Sequence, residues 1–141
     1  MNKKPYEAHY LTLVEAGFIA VNQADEDSAI KLFKAAELLA PEELLPRIGF
    51  GYIHLCKLEL KQAAKIFSEV LETDPDHEMA KTFLGLSLSL NPTELPKGEQ
   101  ILTEACKSQD PMIKDLAANA LQFVLRFVKK APSPVEVAHK S

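Results

Sequence analysis

Apolar residues recur along most of this chain at intervals of three and four. Short clusters of Asn, Asp, Thr and Pro separate the runs. That interval is the period of an α-helix with one buried face, so the pattern predicts an all-α chain. The expected helices run from about Tyr6 to Val21, Glu26 to Leu39, Glu42 to Cys56, Lys61 to Glu72, His77 to Leu90, Glu94 to Lys107 and Asp110 to Lys130. Asn22 to Asp25 supply a turn and an N-cap, as polar residues do before an apolar run. Pro41 and Pro75 stop helices, because the residue before Pro is pushed out of the α region. Pro46 falls in a first turn, where it is tolerated. Thr73 to Asp76 read as a stop and a new cap, and Thr93 as a candidate cap. Asp110 with Pro111 is a strong helix start.

The helices come in copies. Gly17, Gly51 and Gly85 are 34 residues apart, as are Ala29 and Ala63, Phe33, Phe67 and Ile101, and Pro41 and Pro75. A fixed period of this length, with small, aromatic and Pro residues in phase, is the signature of a tetratricopeptide-repeat solenoid. Gly costs a helix roughly 1 kcal/mol relative to Ala, so its recurrence needs a packing reason. Here it lets the first helix of each pair approach the second, while Phe33 and Phe67 fill the space between neighbouring pairs. The expectation is three helix pairs plus a C-terminal capping helix. The repeats span about 10–43, 44–77 and 78–110, and the cap 111–130, all within one domain of residues 1–130. The third repeat is degenerate: Lys97 stands where Ala is expected and Gly98 is one place late, which suggests a slipped turn around Pro96. On the last helix Met112, Ile113, Leu116, Ala117, Ala120, Leu121, Val124 and Val128 recur at helical spacing, as a cap over an otherwise exposed apolar end requires. Residues 131–141, with two Pro and no periodicity, are expected to be a disordered tail.

Composition adds limits. The chain has 141 residues, 47% of them hydrophobic and 26% charged, with a net charge of −4. Lys and Arg are not clustered, which argues against a nucleic-acid groove and a polybasic membrane surface. No run approaches the roughly 18 apolar residues of a membrane span, and the N-terminus does not read as a signal peptide. A cytoplasmic protein is expected. Cys56 and Cys106 are read as buried free thiols, and His54 as a core residue in the place of a repeat aromatic.

The first helix of each pair is apolar on two faces. One, with Leu13, Ala16, Gly17 and Ala20, packs inside. The other comprises Leu11, Val14, Phe18 and Val21, then Leu45, Ile48, Tyr52 and Leu55, then Met79, Thr82, Leu86 and Ser89. Ten of these twelve are apolar, too many for a surface facing only water, since a contiguous apolar patch marks a binding site. The expected partner-binding groove is therefore Leu11, Val14, Phe18, Val21, Leu45, Ile48, Tyr52, Leu55, Met79 and Leu86. It suits an amphipathic helix with anchors at i, i+3, i+4 and i+7. Burying ~500 Å² of apolar surface there contributes on the order of 12 kcal/mol before ordering costs. Self-burial by the chain's own helices and a homodimer contact are the competing uses. Val14, Phe18 and Ile48 stand where carboxylate-clamp tetratricopeptide domains carry Lys, Asn and Arg, which argues against an acidic-tail ligand. No catalytic, cofactor or metal site is expected. Gly49-Phe50-Gly51 lacks the strand-and-turn context of a dinucleotide motif, His54 and Cys56 point apart on a helix, and Asp74, Asp76 and Glu78 read as a solvated cap.

The segment "ACKSQDPMIKDLAANAL", Ala105 to Leu121, follows the degenerate third repeat with a Ser108–Pro111 turn that opens the last helix. In this the chain resembles the small tetratricopeptide chaperones of type III secretion systems that hold the needle subunit in the bacterial cytosol, over about residues 8–128. The resemblance implies a non-enzymatic chaperone. It would bind the amphipathic C-terminal helix of a secreted needle subunit in the concave groove, prevent premature polymerisation and work with a small helical co-chaperone. The needle contacts implied are Leu11, Val14, Phe18, Leu45, Ile48, Tyr52, Met79 and Leu86. A sister group, the chaperones of translocator proteins, binds an extended segment instead. A generic tetratricopeptide adaptor is the third reading.

Overall fold

The computed structural model describes residues 7–129. They form seven α-helices: α1 (Glu7–Asn22), α2 (Glu26–Leu39), α3 (Leu45–Cys56), α4 (Leu60–Thr73), α5 (Glu78–Ser89), α6 (Leu95–Ala105) and α7 (Pro111–Phe123). A π-helical segment, Val124–Lys129, continues α7. The fold is all-α, with no strand among the described residues. Each helix packs on its predecessor, and α1, α3, α5 and α7 also touch in turn, so the odd-numbered helices form one continuous layer. The expected tail, 131–141, lies outside the described residues.

The 34-residue recurrence is present in the backbone as well as in the letters. Ala24 and Leu58, 34 apart, are the two non-Gly residues with positive φ among the described residues, at 61° and 60°. Each closes a turn in which the next amide reaches back five residues: Asp25 N–H to the Ala20 carbonyl at 2.8 Å and Glu59 N–H to the His54 carbonyl at 2.9 Å. Such a left-handed residue at a helix end satisfies carbonyls that would otherwise be orphaned. The next position in phase is Pro92, whose ring holds φ near −65° and forbids that turn. The chain instead forms a longer loop, in which Asn91 Oδ1 accepts from the Thr93 amide at 3.2 Å and the Thr93 hydroxyl at 3.0 Å. Thr93 is thus not the cap of α6; Glu94 holds that position, without a side-chain bond.

The extra loop length moves α6 out of phase by one residue. Ala29 and Ala63 are fully buried, and so are Phe33 and Phe67 four residues on. In α6 the corresponding buried pair is Gly98 and Leu102, not Lys97 and Ile101. The slip arises before Pro96, which sits in the first turn of α6. A Cβ on Gly98 would meet the Ser89 amide nitrogen at 2.5 Å and the Gly85 carbonyl at 2.7 Å. Backbone therefore lies against backbone where α5 crosses α6.

The interior is built around two phenylalanines. A Cβ on Gly17 would stand 2.5 Å from the Phe33 ring, and one on Gly49 would stand 2.4 Å from it, so Phe33 is clamped between α1 and α3. Gly51 does the same for Phe67, at 2.5 Å. Phe83 of α5 takes Gly49's place in the next layer, its ring 5.5 Å from that of Phe67. Truncating either Phe to Ala in such a core costs about 3–5 kcal/mol.

Several local expectations change. α3 begins at Leu45, not Glu42, because the chain turns once more after Pro41 with Glu43 N–H bonded to the Ala40 carbonyl. The N-cap of α5 is His77, whose Nδ1 accepts from the Ala80 amide at 3.4 Å, not Asp76. Asp25 and Asp110 do cap their helices, accepting from Ser28 at 3.2 Å and Met112 at 2.9 Å. The last helix is α only to Phe123. Cys56 is exposed, since it lies at the end of α3 beyond the core, and Cys106 is half-buried. His54 is not a core residue: its Nδ1 lies 2.9 Å from Glu59 Oε1 at a part-open site.

Gly51→Ala should lower stability by about 1–3 kcal/mol through overpacking against Phe67, outweighing the helix-propensity gain. Adding Phe67→Leu should return part of that loss; urea melts followed by circular dichroism measure both. Leu58→Gly should raise the melting temperature, because an exposed Leu in the left-handed region costs about 1–2 kcal/mol and Gly does not. A lower melting temperature would contradict the turn geometry.

Candidate binding surface

The expected groove residues all come from α1, α3 and α5. The structure divides them by what the odd-helix layer consumes. Val14, Ile48 and Leu55 are buried at 4%, 0% and 5% exposure. They are core residues rather than groove lining. α1, α3 and α5 touch side by side, and the face on which these three stand is turned to the even-numbered helices as well. Val14 packs with Tyr10, Ala36 and Ala40, and Ile48 and Leu55 with Phe67, Val70 and Phe83. Thr82 and Ser89 are buried too, and their hydroxyls bond back to the Glu78 and Gly85 carbonyls at 2.8 and 2.7 Å. Leu86 is half-buried against Leu102, Ala120 and Val124, so the chain's own last helices cover much of it.

The remainder keeps partial access. Leu11 is exposed, and Phe18, Val21, Leu45, Tyr52 and Met79 are half-buried. Phe18, Tyr52 and Phe83 form an aromatic row across α1, α3 and α5, with ring centroids 5.5 and 5.3 Å apart. Phe18 also meets Phe33 edge-on at 5.2 Å. Tilted and edge-on pairs at such distances are worth about 0.5–1.5 kcal/mol each beyond their area, which holds the row rigid. The Tyr52 hydroxyl donates to Asn22 Oδ1 at 2.7 Å, fixing the polar end of the ring. Sequence spacing brings Phe18 and Tyr52 together; Phe83 joins them from one turn before the position in phase.

The electrostatics near this row are local. Burial, with the Cys56 thiol beside it, pushes the Tyr52 phenol up to about 12. Partial loss of water around its sulfur also raises the Cys56 thiol, although the residue is exposed as a whole and its hydrogen bond with Tyr52 opposes the shift. Lys57 is held above its ordinary value, chiefly by its hydrogen bond to Glu26 at 3.2 Å. Glu59 is held below the usual carboxylate range, first by His54. These pairs face water, where ion pairs add little stability. Among the described residues no three His, Cys, Asp or Glu side chains gather closely enough to hold a metal ion. No helix among them is long and apolar enough to cross a membrane.

A second concavity was not legible in the groove pattern. A cavity of about 580 Å³ opens among α4, α5, α6 and α7, floored by Leu71, Leu84, Ile101 and Ile113 with Lys81 and Lys97 beside them. None of the expected groove residues lines it. Its sequence signal is the one-residue slip of α6, which turns Ile101 outward and buries Leu102. No family model matches the chain, and no curated protein or solved structure matches it.

Burial likewise holds the Tyr10 phenol at about 12, with Glu43 adding to the effect. A phenol whose folded pKa is raised favours the folded state below its unfolded value of about 10. That contribution is lost as pH rises towards 12. The tyrosinate absorbance of the folded chain should therefore show Tyr10 and Tyr52 ionising late, and urea stability should fall between about pH 10 and 12. Three tyrosines titrating together near 10 in the folded chain would contradict this burial.

Proposed function

We propose that the chain is a non-enzymatic tetratricopeptide-repeat chaperone of the type III secretion needle-subunit class, acting in the cytoplasm. The seven helices are its three helix pairs and cap. The client is an amphipathic helix of a secreted needle subunit, held on the odd-helix layer so that the subunit does not polymerise early. A small helical co-chaperone is the second partner; nucleic acid and membrane insertion have no part in it. The observation that carries this reading is the half-open Phe18–Tyr52 row, with Leu11, Val21 and Leu45 on the same two helices and Met79 on α5.

The buried residues reduce the contact surface from ten positions to these six and the accessible edge of Leu86. That still suits one stripe of an amphipathic helix, which presents anchors at i, i+3, i+4 and i+7. A rigid aromatic floor favours capture, because little side-chain freedom is lost on binding.

Co-expression with the needle subunit tests the proposal. Leu11→Glu and Met79→Glu should each weaken capture about tenfold or more, since burying one such side chain is worth about 1.5–3 kcal/mol. Helical circular dichroism should be retained. Unchanged co-purification with both variants would sink the proposal. A captured segment that is extended rather than helical would favour the translocator class. A partner that is stable and folded when expressed alone would favour a generic adaptor.

A further inference from the structure

Among the described residues, half of the exposed large apolar side chains lie on the last helix and its continuation. Met112 is 57% exposed, Phe123 47%, Leu125 44% and Phe127 57%. They stand on α7 and its π-helical continuation, the elements that close the helix stack. A terminal element needs a polar outer face if it is to remain in water. On this one, large apolar side chains share the outer face with polar ones. Met112, Leu116, Asn119, Phe123 and Phe127 follow one another at intervals of four, three, four and four, a stripe along one side of the helix. The π winding keeps that stripe continuous, because the Phe123 and Phe127 rings stack at 5.1 Å. Beside the stripe run exposed Asp115, Gln122 and Arg126, the last 6.0 Å from the Phe127 ring centre.

The order of these residues is its own complement when reversed. Met112 and Phe127 are placed symmetrically about a point between Asn119 and Ala120, and so are Leu116 and Phe123. Asp115 and Arg126 are symmetric about a point one residue further on. Two copies of the helix laid antiparallel about that point put Met112 against the partner's Phe127, a favourable sulfur–aromatic contact. They put the open edge of Leu116, which is half-buried against this chain's own core, beside the partner's Phe123. Residues on one flank of an antiparallel pair meet the same flank of the other helix. Asp115 therefore meets the partner's Arg126, and Arg126 the partner's Asp115. A two-fold interface needs one self-complementary patch, and a stripe with an acid at one end and a base at the other supplies it.

We propose that α7 and the Val124–Lys129 segment form the contact of a homodimer, two copies of the chain pairing antiparallel through Met112, Leu116, Phe123 and Phe127 with reciprocal Asp115–Arg126 ion pairs. The contact lies on the closing helix rather than on the Phe18–Tyr52 row; Met112 borders Met79, so the two surfaces meet at that edge.

Sedimentation of the full chain from about 1 to about 200 µM tests it, a range that spans micromolar affinities. The natural chain should form a dimer within that range. Phe123→Glu with Phe127→Glu should give a monomer with unchanged helical circular dichroism. Asp115→Arg should weaken dimerisation about tenfold by setting two guanidinium groups against each other. Combining Asp115→Arg with Arg126→Asp should restore it to within about threefold, because both pairs re-form with reversed sign. A monomer at the highest concentration overturns the proposal, whatever else the face binds. So does an Asp115→Arg variant as tight as the natural chain, or a double exchange as weak as the single one.

Discussion

The structure depends on one contact made twice: a phenylalanine ring pressed on helix backbone that carries no Cβ. Phe33 reaches the backbone of α1 at Gly17 and of α3 at Gly49, and Phe67 reaches α3 at Gly51. The first contact closes a helix pair and the second joins it to the next pair. A single ring therefore couples interactions within a unit to interactions between units. Because the ring is fully buried and its neighbours are backbone, neither partner can give way separately. The aromatic row above it inherits this rigidity, since Phe18 rests edge-on against Phe33.

Much of this was legible in the letters. The period, the Gly and Phe positions and most helix limits follow from spacing alone, because they reflect local propensity and one repeated contact. What escaped depended on how helices lie beside one another. Whether Ile48 and Leu55 face a partner or the core is decided by how α3 lies against α4 and α5, which periodicity does not encode. Val14 is decided in the same way by α2. Gly49 stands out in the letters only as part of a GxG without the context of a nucleotide motif, yet it forms half of the seat for Phe33. His54 was placed in the core by analogy with other repeats, although Glu59 draws it to the rim.

The third pair shows how one residue type redirects a larger arrangement. Pro92 occupies the place where Ala24 and Leu58 adopt positive φ, and the loop lengthens to avoid it. The consequence is felt along α6, where Gly98 and Leu102 take the buried positions. It is felt again at the surface, where Ile101 becomes part of a cavity floor. Lys129 then fastens the end of the π-helical segment back onto α6 through Glu99 at 2.8 Å.

That offset also limits growth. A one-residue shift turns a helix's contact face by about 100° and moves it by about 1.5 Å, so a copy of α1 to α4 joined directly after α6 would present its seams to the wrong neighbours. A segment duplicated in phase with α1 to α4 has no matching seat at this end, where α7 instead closes the stack.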